Sequence, residues 1–157
     1  MERKTLIEQL AALDELTLSQ HTEQAGDHFC RAQREIELAQ QFDEQHHLVA
    51  IARAGKVVAY AMYRAKQLGE WFVLMLNVHP ECRDASVMRE LSFKSLQLFR
   101  QHTVERLVSH VYKTNRLSMN FHHRLGFAIN QENDKAVEFV TELAHNTRLA
   151  ALAAKAS

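Results

Sequence analysis

The stretch Trp71-Phe72-Val73-Leu74-Met75-Leu76-Asn77-Val78, closed soon afterwards by Pro80, decides how the rest of the chain is read. Apolar residues run through it almost without a break and no charge interrupts it. A run this short and this apolar, bounded by a turn and a proline, predicts a central strand covered on both faces. It is far too short to span a bilayer, which takes about 20 residues of helix. The element that follows it, Arg83 to His102, changes period: Val87, Leu91, Leu98 and Phe99 fall on one side of a helix.

Working outward, Val57 to Ala65 (VVAYAMYRA) predicts a strand joined to the central one through a turn at Gln67 to Glu70, around Gly69. His47 to Arg53 (HLVAIAR) predicts another, returned by a hairpin at Ala54-Gly55-Lys56. These three make an antiparallel meander. Further toward the N-terminus, Glu2 to Leu18 carries Leu6, Leu10, Leu13 and Leu16 at helical spacing, with Ile7 alongside, and this stripe is expected to pack on the sheet. A second helix is expected from about Glu23 to Phe42, with Phe29, Ile36, Leu38 and Phe42 on its apolar side. Arg31, Arg34, Glu35 and Glu37 are expected on its solvated side.

On the other side, Val104 to Tyr112 (VERLVSHVY) is expected as a strand, and Asn115 to Arg124 as a short helix stopped by Gly126. Phe127 to Asn130 and Ala136 to Leu143 are two further strands, and the Ala-rich end from Ala144 is a helix or a frayed tail. The order predicts an α/β (α+β) fold, a mixed and mainly antiparallel sheet with helices on both faces. One domain is expected over residues 1–157: helices in 1–45, sheet and core in 46–143, and a tail in 144–157.

Composition narrows the function. The chain of 157 residues has 19 basic and 19 acidic side chains, so its net charge is zero, which argues against a nucleic-acid partner and against steering to an acidic membrane. The balanced charge leaves self-association into a homodimer open. The first 20 residues mix charges into every turn and show no secretory signal, and Cys30 and Cys82 are distant, so free thiols in the cytoplasm are expected. The doublets His46-His47 and His122-His123 do not make two ligands on one face, since adjacent strand residues point to opposite faces, and ten His with two distant Cys match no zinc spacing, so no metal is expected. Glycine is scarce, 4 in 157, against a usual share of roughly 7%.

Two segments carry a family resemblance that covers about Val49 to Leu143. The first is Asn77-Val78-His79-Pro80-Glu81-Cys82-Arg83-Asp84-Ala85-Ser86-Val87-Met88, and the second is Asn115-Arg116-Leu117-Ser118-Met119-Asn120-Phe121-His122-His123-Arg124-Leu125-Gly126-Phe127. With the element order, these resemble the GNAT superfamily of acyl-CoA-dependent N-acetyltransferases. Val78, Pro80 and Arg83 match the family's strand-end and helix-start pattern. Asn115, the small Ser118, Gly126 and Phe127 match its second pattern in register. The chain departs at Ser86 and Met88, where the family has glycine and glycine or alanine, and at His122, where many members have tyrosine.

The resemblance implies a GNAT-like acyl-CoA N-acyltransferase fold and acetyl-CoA as cosubstrate. It implies that Arg83, Ser86, Val87 and Met88 form the turn that meets the pyrophosphate at a helix start. It implies that the strand end from Leu76 to Val78 pairs with the pantetheine arm and supplies a backbone N–H to the thioester oxygen, with Asn115 and Ser118 beside the cofactor. His122 stands where the acid that protonates the leaving thiolate would be, and Glu70 or His79 is the candidate base. The implied activity is acetyl transfer to a small-molecule or peptide amine. The alternative, motivated by Ser86 and Met88, is a GNAT-fold binding or regulatory module with weak or lost acetyl-CoA binding.

Overall fold

The structure, a computed structural model, describes residues 1–24 and 26–156. Two helices, α1 (Arg3–Gln24) and α2 (Arg31–Gln40), precede the meander β1 (His46–Arg53), β2 (Lys56–Gln67) and β3 (Glu70–Val78). A 3-10 turn (Pro80–Cys82) leads into α3 (Ala85–Gln101) and β4 (Arg106–Tyr112), then α4 (Arg116–Arg124), β5 (Ala128–Glu132) and β6 (Ala136–Glu142). A second 3-10 turn (Leu143–His145) leads into α5 (Thr147–Ala154). The six strands form one sheet in the order β1-β2-β3-β4-β6-β5. Every neighbouring pair is antiparallel except β3 and β4, which run parallel across the α3 crossover. This is the mixed sheet expected from the sequence. None of the described helices is long and apolar enough to cross a membrane.

Alternation along β2 divides the core into two layers. Tyr60 and Met62 face α1 and α2, where Ile7, Leu10, Leu13 and Leu38 bury against them. Ala59, Ala61 and Tyr63 face the other way, onto Leu91 and Phe99 of α3 and Leu149 and Ala153 of α5. The Ala-rich end is therefore a packed helix, started by Asn146, whose side chain accepts from the Leu149 N–H. Asn146 also donates to the Leu125 carbonyl, beside Gly126. A Cβ at Gly126 would collide with that amide, and its φ of +85° is the left-handed conformation that ends α4.

The N-terminal helices differ from expectation in their bounds. The first runs to Gln24 and the second starts only at Arg31. Gly26, at φ +91°, ends α1: its N–H bonds the Glu23 carbonyl and the Asp27 N–H bonds the Thr22 carbonyl, the two bonds of a Schellman cap. Cys30, in extended backbone, starts α2. Two face assignments also change. Ile36 is 54% exposed, while Arg34 lies inward with its side chain only 13% exposed.

Arg34 turns inward because Asp14 is there. Asp14 is fully buried and sits on the apolar stripe of α1, four residues from Leu10. It accepts from Arg34 Nε at 2.8 Å, from the Tyr60 hydroxyl at 2.7 Å and from Asn77 Nδ2 at 2.8 Å. Thr17 completes the set by donating to Asn77 Oδ1 at 2.7 Å. Burial first, and the Asp14 carboxylate second, hold the Tyr60 phenol well above its ordinary pKa, so it stays a donor. Removing the carboxylate would leave Arg34 short of its counter-charge. Asp14→Ala is therefore expected to cost about 3–5 kcal/mol in urea unfolding, against about 1 kcal/mol for Tyr60→Phe; equal small losses would show that the network is not what holds α1 and α2 to the sheet.

Candidate functional site

The parallel pairing of β3 with β4 is short. It covers Glu70 to Val73 against Arg106 to Ser109 and stops there. Beyond Val73, β3 stays paired with β2 as far as Val78, whereas β4 continues along β6 to Tyr112. On the β2 side the register skips a residue: Met62 pairs with Met75 and Tyr63 with Val73, so Leu74 is bulged. A bulge bends its strand and increases local twist. The two strands therefore diverge, and a cleft of about 260 Å³ opens between Val73–Leu76 and Ser109–Tyr112. Asn115, the cap of α4, and Ser118 and His122 of α4 line it at one side; Leu18, Thr22, Phe29 and Arg34 line it from α1, α2 and their connection.

His122 is 2% exposed. Its Nδ1 lies 2.7 Å from the Ser118 carbonyl oxygen, an atom that only accepts, so Nδ1 carries the proton and donates. Nε2 then accepts from the Ser109 hydroxyl at 2.7 Å. The ring also stacks on Phe139 and meets Phe127 edge-on. Burial pushes its pKa down to about 4; the Ser118 carbonyl opposes that shift and His123 adds to it. His122 is thus a neutral ring at pH 7 with both nitrogens engaged. The acid implied by the tyrosine position would need an imidazolium here, and the apolar stack disfavours one.

The structure brings Leu76, Asn115, Ser118 and His122 together in the cleft, and places Val78 and Arg83 in a small neighbouring pocket that shares Leu76, Asn115 and Ser118 with it. Asn115 also caps α4, accepting from the Ser118 N–H. It does not bring Glu70 there. That residue opens β3 at its paired end, about 13 Å along the strand from Leu74, and its carboxylate binds Lys66 and Gln67. The His79 side chain accepts from the Glu81 N–H and caps the 3-10 turn. Val87 is a core residue whose N–H is taken by the Asp84 carboxylate. Ser86 is exposed, 3.5 Å from Arg53 Nη2.

Met88 packs partly against the core and lines a second groove, of about 490 Å³, between the start of α3 and helices α4 and α5. Its floor is apolar, with Phe121, Leu125 and Leu152. Four cations surround it: Arg83, Arg124, Arg148 and Lys155. Among the described residues none of the four is in an ion pair, and Arg148 Nη1 donates to the His123 carbonyl at 3.0 Å. One carboxylate, Asp84, shares the groove. The small pocket beside the cleft shares Arg83 and Phe121 with this groove.

Residues 10–127, three quarters of the chain, match the Acetyltransferase (GNAT) family. The chain belongs to the GNAT acetyltransferase family. Solved structures of GNAT enzymes share its fold. An aminoglycoside 6'-N-acetyltransferase complexed with coenzyme A superposes with a TM-score of 0.72 at 12% identity, over 91% of this chain and 94% of that one. The ribosomal-protein-S18-alanine N-acetyltransferase of Escherichia coli gives 0.69 at 16% identity, over 90% of each chain. The PaiA N-acetyltransferase of Thermoplasma acidophilum, in complex with coenzyme A, gives 0.68 at 10% identity, over 88% and 94%. At such identities these likenesses concern the fold alone. Among curated proteins none matches the sequence significantly.

Several residues of the cleft and the groove escape the sequence reading. Ser109 and His110 sit side by side in a segment read only as a strand, though two polar residues inside VERLVSHVY are a usable signal. The cations of α4 and α5 come together only in three dimensions. Asp14 was open to detection, as a carboxylate on an apolar stripe.

The depressed pKa of His122 makes it a stability group. The unfolded ring titrates near 6.5 and the folded one near 4, so the unfolded chain binds more protons between those values. Its contribution is complete above pH 6.5 and is lost as pH falls toward 4, about 3 kcal/mol in all. His122→Phe should therefore unfold with a flatter pH dependence over this window; an unchanged slope in chemical denaturation would show that His122 does not carry it.

Proposed function

We propose that this GNAT acetyltransferase moves an acetyl group from acetyl-CoA to the amine of a small molecule or peptide, within a single domain. The observation that carries this reading is the splayed edge of β3 with, beside it, a small pocket that shares Leu76, Asn115 and Ser118 with the cleft and Arg83 and Phe121 with the groove lined by four cations. Acetyl-CoA, when bound, supplies an activated thioester carbonyl for attack by the amine.

The chain's groups fit such a ligand from end to end. Beyond Val73 the β4-facing edge of β3 has no strand neighbour among the described residues, so Leu76 and Val78 lie where backbone amides can pair with an extended arm. An N–H of the same edge would stabilise charge on the thioester oxygen. Asn115 and Ser118 flank that arm. Arg83, Arg124, Arg148 and Lys155 supply the phosphate-binding charge. Asp84 stands at the start of α3, where a phosphate would meet it unfavourably, and the four cations more than offset it. Met88 turns partly to the core, so its side chain does not have to cross the turn, and Ser86 can donate a hydroxyl. Val87 contributes packing, since its N–H is already engaged.

In this reading His122 and Ser109 hold a fixed hydrogen-bonded pair beside the reacting carbonyl, and the acceptor amine enters from the side of α1 and α2. The wild-type protein should be stabilised by acetyl-CoA in a thermal shift, by about 2.7 kcal/mol at a hundred times Kd. Arg124→Ala with Arg148→Ala should weaken that binding tenfold or more, and higher salt should weaken the wild type toward the variant. No shift at millimolar acetyl-CoA would refute the reading. Binding without transfer to any amine in a broad panel would instead favour a binding or regulatory module.

A further inference from the structure

Amines are protonated at neutral pH and cannot attack until a proton leaves, so the cleft needs a base. Among the described residues lining the cleft there is no carboxylate. Arg34 is always protonated. Tyr112 donates its hydroxyl to Asp27 at 2.7 Å, and that bond, chiefly, raises its pKa. Both nitrogens of His122 are engaged. His110 remains. It lines the cleft on the face of the sheet toward α1 and α2, and its side chain is 60% exposed.

We propose that His110 is the general base, oriented by Glu138; this rests on the function proposed above. His110 Nε2 lies 2.9 Å from Glu138 Oε1 across the β4–β6 pair, where the two residues stand directly opposite. Glu138 is held as a carboxylate, its pKa lowered first by His110 and then by Asn130, which donates to Oε2 at 2.8 Å. A carboxylate only accepts, so Nε2 carries the ring proton and Nδ1 keeps its lone pair. Phe72 of β3 borders the ring at 5.9 Å between centroids. The charged groups around it are Glu138 of β6, Arg64 and Lys66 of β2 over the Phe72 ring, and Asp27, bound to Tyr112.

The step is balanced. An N–H bond of the acceptor ammonium breaks and an Nδ1–H bond forms, leaving a neutral amine and an imidazolium paired with Glu138. The amine lone pair then forms the C–N bond as the C–S bond breaks; the nitrogen gives up its second proton, through solvent, to the departing thiolate, so that the products are the amide and the free thiol of CoA, and the exposed imidazolium returns the first proton to solvent. His110 is a catalytic residue in this scheme, and Glu138 is a positioning residue that also stabilises the imidazolium.

The test measures CoA release from acetyl-CoA with two primary-amine probes, phenethylamine and an alanine-initiated tripeptide, and follows the faster. His110→Gln should lower kcat/KM by about 10²-fold or more, abolish the acidic limb of its pH profile and recover rate with added imidazole. Its acetyl-CoA thermal shift should match the wild type, which separates loss of the base from loss of fold or cofactor site. Glu138→Gln should move the acidic limb to lower pH, and adding it to His110→Gln should cost little more. A His110→Gln enzyme with wild-type rate and pH profile would overturn the proposal. A wild-type protein that does not bind acetyl-CoA would overturn the functional reading, and His110 as a base with it.

Discussion

The feature on which the rest of this site depends is the divergence of β3 from β4 after Val73. A parallel pair that stayed in register to the strand ends would put side chains where the cleft is. The bulge at Leu74 bends β3 on its β2 side, and β6, antiparallel to β4 along its whole length, holds β4 to a different course. One face of the opening then belongs to α1 and α2 and the other to α3, α4 and α5. Between them lies a stretch of the β3 edge with no strand neighbour among the described residues. In the proposed reading this edge offers fixed N–H dipoles to the thioester oxygen.

The opening would be costly if its walls moved, and buried polar contacts on both faces fix them. On one face Asp14 ties α1, α2, β2 and β3 through Arg34, Tyr60 and Asn77. On the other, His122 ties α4 to β4 through Ser109, and Asn146 ties α5 to the end of α4. A hydrocarbon core of equal volume could be as stable. A polar network adds direction, since each donor has one acceptor it must reach. The His122 pair shows the consequence: a ring at the position many relatives give to tyrosine is held neutral, with its tautomer set by a backbone carbonyl.

The elements were largely legible because strand and helix periods differ so clearly on either side of Trp71 to Val78. The errors fell where local pattern and tertiary context compete. The break between α1 and α2 was placed too early because Phe29 extends a helical spacing, while Gly26, the actual stop, has a chemistry of its own. Arg34 was assigned to solvent because an arginine among charged neighbours ordinarily belongs there, and only the partner on α1 reverses that. Of the residues that line the cleft, Asn115, Ser118 and His122 stand in a sequence motif at the start of and within α4, and Leu76 closely precedes the other motif, at the end of β3. Ser109, His110 and Glu138 were not, since strand pairing across 28 residues brings the last two together and no local spacing encodes it. Glu70 illustrates the converse: proximity in sequence to the central strand gave it a role that its place at the paired end does not allow.

The shortage of glycine acquires a physical meaning at the start of α3. A glycine-rich turn binds phosphate by letting backbone N–H groups approach closely, and its strength comes from many weak dipoles at short range. This chain places Asp84, Ser86 and Met88 there instead, and spends glycine where helices must end, at Gly26 and Gly126. A side-chain site works differently: full charges on long, flexible stems tolerate a bulkier turn, act at greater distance and are screened by salt. The ring of Arg83, Arg124, Arg148 and Lys155 has that character, and it stands out in a protein whose total charge is zero. Two of its members, Arg148 and Lys155, come from the region of α5, beyond the span that matches the family. The packing of α5 on α3 and its anchoring through Asn146 hold these two charges beside the start of α3, where this chain has no glycine.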